Sequence, residues 1–128
     1  MERVTGIGGV FFKAQEPDRL RAWYRDHLGL AIADWGGVSF EWREVETPQR
    51  KATTVWSIFP AHTKYFDPSP APFMVNYRVK DLARVLAQLR AEGCQVDERI
   101  EESEFGKFGW VMDPEGNRIE LWEPPEGS

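Results

Sequence analysis

The sequence predicts an α+β fold built from two copies of a βαβββ unit, and three observations carry that expectation. Strand-like and helix-like patterns alternate in a fixed order along the chain. The same order then runs a second time, and an internal repeat constrains architecture more than any single motif does. Between the two runs lies AHTKYFDPSPAP, whose prolines favour an extended, poorly helical path.

In the first copy, Gly9–Ala14 (GVFFKA) is a β-type run. Pro17 opens a helix over 17–28, at the position where its missing N–H costs nothing. Leu20, Trp23, Tyr24 and Leu28 fall on one helical face, and Gly29 supplies the C-terminal cap. Strands are expected around Leu30–Asp34, Val38–Glu44 and Thr53–Phe59. Gly36 and Gly37 make the first turn, and the polar stretch around Pro48 makes the second.

The second copy follows suit. Phe73–Val79 is a strand, and Asp81 is a good N-cap for a helix over 81–92. Its apolar stripe is Leu82, Val85, Leu86 and Leu89, and Gly93 closes it. Strands are expected at Gln95–Ile100, Phe108–Met112 and Arg118–Trp122, the last two joined by the turn DPEGN. There Pro114 presets the turn, Gly116 and Asn117 tolerate positive φ, and Asp113 can accept bonds from the following N–H groups. On overlay, Leu20 and Tyr24 meet Val85 and Leu89, and VWSIFP (55–60) meets IELWEP (119–124).

The 128 residues suit one domain over 1–128, with repeat one at about 4–60, a linker at about 61–71 and repeat two at about 72–124. Six Trp, eight Phe and three Tyr provide ample surface for a core or a lined cavity. No apolar run approaches the roughly 20 residues a membrane helix needs, and MERVTGIGGV reads as a strand, not a signal peptide. One cysteine, Cys94, excludes an intrachain disulfide framework and a cysteine zinc cluster, and a cytoplasmic location is expected. A net charge of −5 without a basic stripe leaves no footprint for nucleic acid.

The segments WYRDHLGL, FMVNYRV followed by KDL, and above all DPEGNRIELWEP resemble the vicinal oxygen chelate superfamily (the glyoxalase, bleomycin resistance and extradiol dioxygenase group) over nearly the whole chain. The resemblance implies two βαβββ units curled into an incomplete barrel around a cavity, often in a homodimer. It does not choose among the superfamily's lyases, epimerases, dioxygenases, thiol-transferases and antibiotic-sequestering proteins, because fold does not fix function.

Metal-using members carry ligands on the first and last strands of each unit. The resemblance places those positions at Gly9, Trp56, Met74 and Glu120. Only Glu120 is a competent hard-metal ligand: glycine has no side chain, indole N–H only donates, and a thioether is soft. His27 reads as a surface histidine favouring its helix C-terminus, and His62 as an exposed loop residue. No metal or other cofactor is therefore expected, although a divalent metal is the alternative the resemblance keeps open.

Strand alternation gives those inward positions the same-face neighbours Phe11 and Lys13, Thr54 and Ile58, Asn76 and Arg78, and Arg118 and Trp122. Phe11, Trp56, Met74 and Trp122 would form an apolar wall, with Asn76 and Glu120 orienting a small molecule. Trp110 reads as core. The competing structural reading fills the barrel with the aromatics and pairs Glu120 with Lys13, Arg78 or Arg118.

The functional expectation is a metal-free protein that encloses a small aromatic or amphipathic molecule. Alternatives are a metal-dependent lyase, isomerase or dioxygenase with an atypical ligand set, a metal-free enzyme using Glu120 as general base, and an interface module without ligand. Unpaired sheet edges lead us to expect a homodimer.

Overall fold

The computed structural model describes residues 3–128; Met1 and Glu2, which begin the N-terminal run, lie outside the described residues. The chain forms β1 (Gly6–Ala14), α1 (Pro17–Leu28), β2 (Gly37–Arg43), β3 (Lys51–Pro60), β4 (Phe73–Arg78), α2 (Leu82–Ala91), β5 (Gln95–Val96), β6 (Glu101–Ser103), β7 (Gly106–Met112) and β8 (Arg118–Glu123). These strands make a single mixed sheet in the order β2-β3-β1-β4-β8-β7-β5, with β6 also paired to β7.

The repeat is visible in the pairing. β1 runs parallel to β3 as β4 runs parallel to β8, and the two first strands meet antiparallel at the middle of the sheet. Each half thus brings its first and last strands side by side, and the two first strands join the halves edge to edge.

Both helices begin and end where the local chemistry allows. Pro17 opens α1, and Gly29 caps it in the left-handed region at φ 70°, its N–H donating to Arg25 O. Asp81 caps α2 by accepting from the Arg84 N–H at 3.1 Å. In the DPEGN turn, Asp113 accepts from the N–H groups of Glu115 (2.8 Å) and Asn117 (2.9 Å).

Two expected strands differ. Leu30–Asp34 is not a strand: Ile32 N–H donates to Leu30 O and Ala33 N–H to Gly37 O, which are turn bonds that leave no ladder. The expected strand over 95–100 is interrupted, with Gln95–Val96 and Glu101–Ser103 pairing separately with β7. Between them the Asp97 carboxylate accepts from the Arg99 N–H at 2.9 Å, a local bond of the kind that competes with a sheet ladder.

The two sheet faces have separate cores. On the convex face, Leu82, Val85 and Leu86 of α2 pack with Val79, Val111 and Leu121. On the concave face, Phe11, Met74 and Trp110 pack around Phe66, which comes from the linker between the halves. No helix is long and apolar enough to cross a membrane among the described residues.

Candidate functional site

Sheet register sets five residues in one transverse row. Val55 lies opposite Gly9 across β3 and β1, and Gly9 opposite Asn76 across β1 and β4. Asn76 lies opposite Glu120 across β4 and β8, and Glu120 opposite Trp110 across β8 and β7. Partners opposed in this way point to the same face. Along the row the concave face therefore meets a hydrocarbon, no side chain, an amide, a carboxylate and an indole.

Glu120 is only 1% exposed. Its Oε1 accepts from Asn76 Nδ2 at 2.6 Å, and its Oε2 accepts from Trp110 Nε1 at 3.0 Å and from the Tyr65 hydroxyl. All three donors are neutral. Burial pushes the Glu120 pKa above the ordinary glutamate value, and these three bonds together with the nearby Arg118 charge pull it partly back. The Tyr65 phenol is likewise pushed up, first by burial and then by the Glu120 charge.

None of the expected cations reaches the carboxylate. Lys13 Nζ lies 5.4 Å from the Phe66 ring centroid. The Arg78 guanidinium lies between the rings of Trp42 (5.5 Å) and Trp122 (5.1 Å) and donates to Thr53 O at 2.9 Å. Arg118 stacks on Trp110 at 4.8 Å and reaches Asp97 at 3.4 Å. Pairing of Glu120 with a basic side chain is thus replaced by solvation from neutral donors.

A β-bulge helps to place the amide. The β1–β4 register shifts between Ile7 and Gly9, leaving Gly8 as the extra residue. A methyl group on Gly8 would overlap Asn76 Oδ1 and lie 2.9 Å from Trp122 Cε3, so the Asn76 side chain needs glycine there. Turned that way, Asn76 Oδ1 is buried without a hydrogen-bond partner.

Of the residues expected to line a cavity, Phe11, Met74, Asn76 and Glu120 share the concave face. Trp122 lies two residues beyond Glu120, stacked on Phe108 at 6.1 Å, with its indole donating to Phe105 O at 2.7 Å. Trp56 is a correction. Its ring packs against Phe12 (5.5 Å) and Tyr24 of α1 (5.0 Å), on the convex face. Overlaying the two halves on their terminal prolines shifted β3 by one residue, and a shift of one reverses every side chain. Val55, not Trp56, occupies the position matching Glu120, and Thr54 and Ile58 leave the concave face with Trp56.

Over Glu120, linker side chains cover the concave face. Phe66 is fully buried, and the Tyr65 ring stacks on Phe59 with centroids 5.5 Å apart and planes 13° apart. Sequence reading missed Tyr65 and Phe66 and took Trp110 for plain core. The available signal was two adjacent aromatics inside an otherwise polar, proline-rich linker.

The residues do not fit the metal the fold implies. The row offers no side chain at Gly9 and only hydrocarbon at Val55, while Asn76 spends its NH2 on Glu120 and turns its oxygen away. Three N–H or O–H donors already bond the carboxylate, and two of them, the Asn76 amide nitrogen and the Trp110 indole, have no lone pair to offer a metal. Among the described residues, no group of three or more His, Cys, Asp or Glu could hold an ion. His27 and His62 are exposed, His27 lying 5.2 Å from the Trp23 ring.

Comparison with known structures supports the fold. The chain matches Mycobacterium tuberculosis methylmalonyl-CoA epimerase with a TM-score of 0.61 and 22% identity, covering 98% of this chain and 91% of that one. Streptomyces coelicolor methylmalonyl-CoA epimerase, in complex with 2-nitronate-propionyl-CoA, gives 0.68 at 13% identity over 98% and 99%. The 2,3-dioxygenase LapB of Pseudomonas sp. KL28 gives 0.59 at 22% identity over 97% of this chain and 42% of that one. At these identities the likeness speaks for fold alone. Comparison with curated protein sequences gives no match. The family model described as "Glyoxalase-like domain" matches residues 9–122, a span running from the glycine of the row to the strand that carries Glu120. By that match, over 9–122 of its 128 residues, the chain belongs to the glyoxalase-like domain family.

Proposed function

We propose that this protein binds a small aromatic or amphipathic molecule on the concave face, with Glu120 as polar anchor and no divalent metal. The observation that carries this reading is the buried carboxylate solvated by Tyr65, Asn76 and Trp110 without a cation. Holding a carboxylate in an apolar core without a counter-ion is costly, and packing alone gives no reason to keep one. A face of aromatics with two or three convergent polar groups is the usual makeup of a small-molecule site.

The test is a compound screen by native mass spectrometry in the presence of a chelator. Binding should be saturable and unaffected by the chelator. Glu120→Gln should weaken it by about 1–3 kcal/mol, the cost of losing a charged hydrogen-bond partner. Binding that requires a divalent ion, or that ignores Glu120, would overturn the reading.

One observation favours a second role for the same residue. Burial raises the Glu120 pKa above the ordinary glutamate value, the direction in which a carboxylate becomes a stronger base. Turnover of a bound compound, abolished in Glu120→Gln, is the result that would establish it.

We also propose a homodimer. The sheet ends at β2, where Phe40 is half-exposed, and at β5, and association is a common way to cover such edges. Sedimentation should show a dimer at micromolar concentration; a monomer throughout that range refutes it.

A further inference from the structure

The linker between the halves occupies the concave face as a ligand would. It leaves β3 and re-enters β4 at the same end of β1: Ala61 N–H donates to Ala14 O (2.8 Å), and Lys13 N–H donates to Pro72 O (2.7 Å). Between those two anchors the backbone bonds are local, from Thr63 to Pro60, Asp67 to Lys64 and Ser69 to Phe66. What ties the intervening residues into the core is side chains. Phe66 is buried in the apolar cluster, and Tyr65 stacks on Phe59 with its hydroxyl on Glu120. A loop tied at each end by a backbone bond to β1, bonded internally and docked through its own side chains, is compact enough to move as a unit.

We infer that Tyr65 is an internal stand-in for the ligand: residues 61–72 swing away on their two anchors, and a neutral aromatic molecule with one O–H or N–H donor takes the phenol's place on Glu120. The inference rests on the binding reading above and names the ligand class within it. Charge selects the class. An anionic ligand would meet the buried carboxylate with like charge. A cationic ligand would meet Arg118 and Arg99, whose guanidinium groups lie 4.8 and 5.5 Å from the Trp110 ring. A neutral donor satisfies Glu120 without conflict on either side, and it is what the protein itself supplies there.

The probe is p-cresol, which is the tyrosine side chain as a free molecule. Its binding to the wild type, Tyr65→Phe and Tyr65→Ala is measured by calorimetry. The Trp110 indole N–H resonance, which reports the Glu120 network, is followed in parallel. Toluene, p-toluate and benzylamine serve as the apolar, anionic and cationic controls.

The wild type should bind p-cresol weakly, because Tyr65 competes. Tyr65→Ala should bind it roughly tenfold or more tightly, the equivalent of one freed buried hydrogen bond, and its unfolding temperature should rise with p-cresol concentration. Toluene should bind that variant less tightly, and p-toluate and benzylamine least. Tyr65→Phe keeps the plug but removes the donor, so its affinity should fall between the other two. It also carries the test if Tyr65→Ala does not fold.

Equal p-cresol affinity in wild type and variants, or preference for p-toluate or benzylamine, overturns the inference. If another compound moves the Trp110 resonance in the wild type while neither variant gains affinity for p-cresol, the binding reading stands and the stand-in fails. If no compound moves that resonance in any of the three proteins, both fail.

Discussion

The two halves share a plan but differ in how each is fastened. α2 buries Leu82, Val85 and Leu86 against its half of the sheet, whereas α1 buries no residue fully. On the α1 stripe, Trp23 is 48% and Leu28 59% exposed. Polar and aromatic contacts hold α1 instead. Arg21 donates through Nε to Gly36 O (2.8 Å) and through Nη2 to Ile58 O (3.0 Å), and Tyr24 meets Trp56 and Phe12. The same asymmetry runs along the transverse row: the first half contributes Val55 and Gly9, the second Asn76, Glu120 and Trp110. The half with the stronger apolar core also holds the buried polar network, where a satisfied geometry has to be maintained.

The largest effect should come from testing that difference directly. Leu86→Ala removes a fully buried side chain from the α2 core and should cost about 2–5 kcal/mol. Trp23→Ala, on the corresponding helix of the other half, should cost no more than about 1 kcal/mol. Urea unfolding of both variants checks this. Equal costs would mean that α1 is fastened as firmly as α2.

Within the polar row the contrast is between two tryptophans. Trp110→Phe keeps a ring but takes one of the three donors from Glu120, and should cost about 1–3 kcal/mol. Trp56→Phe loses volume on the convex face without disturbing Glu120, and should cost about 1 kcal/mol or less. Unfolding midpoints rank the two, and the opposite order would place the energetic weight of the row in the first half.

Much of the fold was legible because periodicity and caps are local signals. Pro17, Gly29 and Asp81 mark helix ends by chemistry that acts within a few residues, and Asp113 folds its own turn. The site was legible only where alternation could be anchored. In β8, Glu120 stands between the apolar Ile119 and Leu121, so its face was easily guessed. In β3 every residue of TTVWSIF suits either face, and a large aromatic invites placement in a cavity. Register there is set by pairing with β1, and no local pattern encodes it. Tyr65 was illegible for a different reason. Which loop folds back over a sheet depends on where its two ends are anchored, and both anchors are backbone bonds to β1, formed only once the sheet exists.

The smallest effect is a pH dependence, and its sign discriminates best. In the folded protein, burial raises the Glu120 pKa above its unfolded value of 4.5. The folded state therefore holds that proton where the unfolded chain has released it. The associated stability is fully present below about pH 4.5 and is lost as pH rises through the folded value. Asp97 and Asp113 behave oppositely. Their pKa values are lowered, chiefly by a backbone bond from Arg99 and a side-chain bond from Asn117, so their contributions are kept at neutral pH and lost on acidification. Both groups remain in Glu120→Gln, so the difference between wild type and variant isolates Glu120. That difference should be flat below about pH 4.5 and should grow in the variant's favour as pH rises toward neutrality. Denaturant midpoints of the two proteins between about pH 4 and 8 measure it. A difference growing in the wild type's favour would mean that the folded protein stabilises the charged carboxylate, so that the three donor bonds and the Arg118 charge outweigh burial.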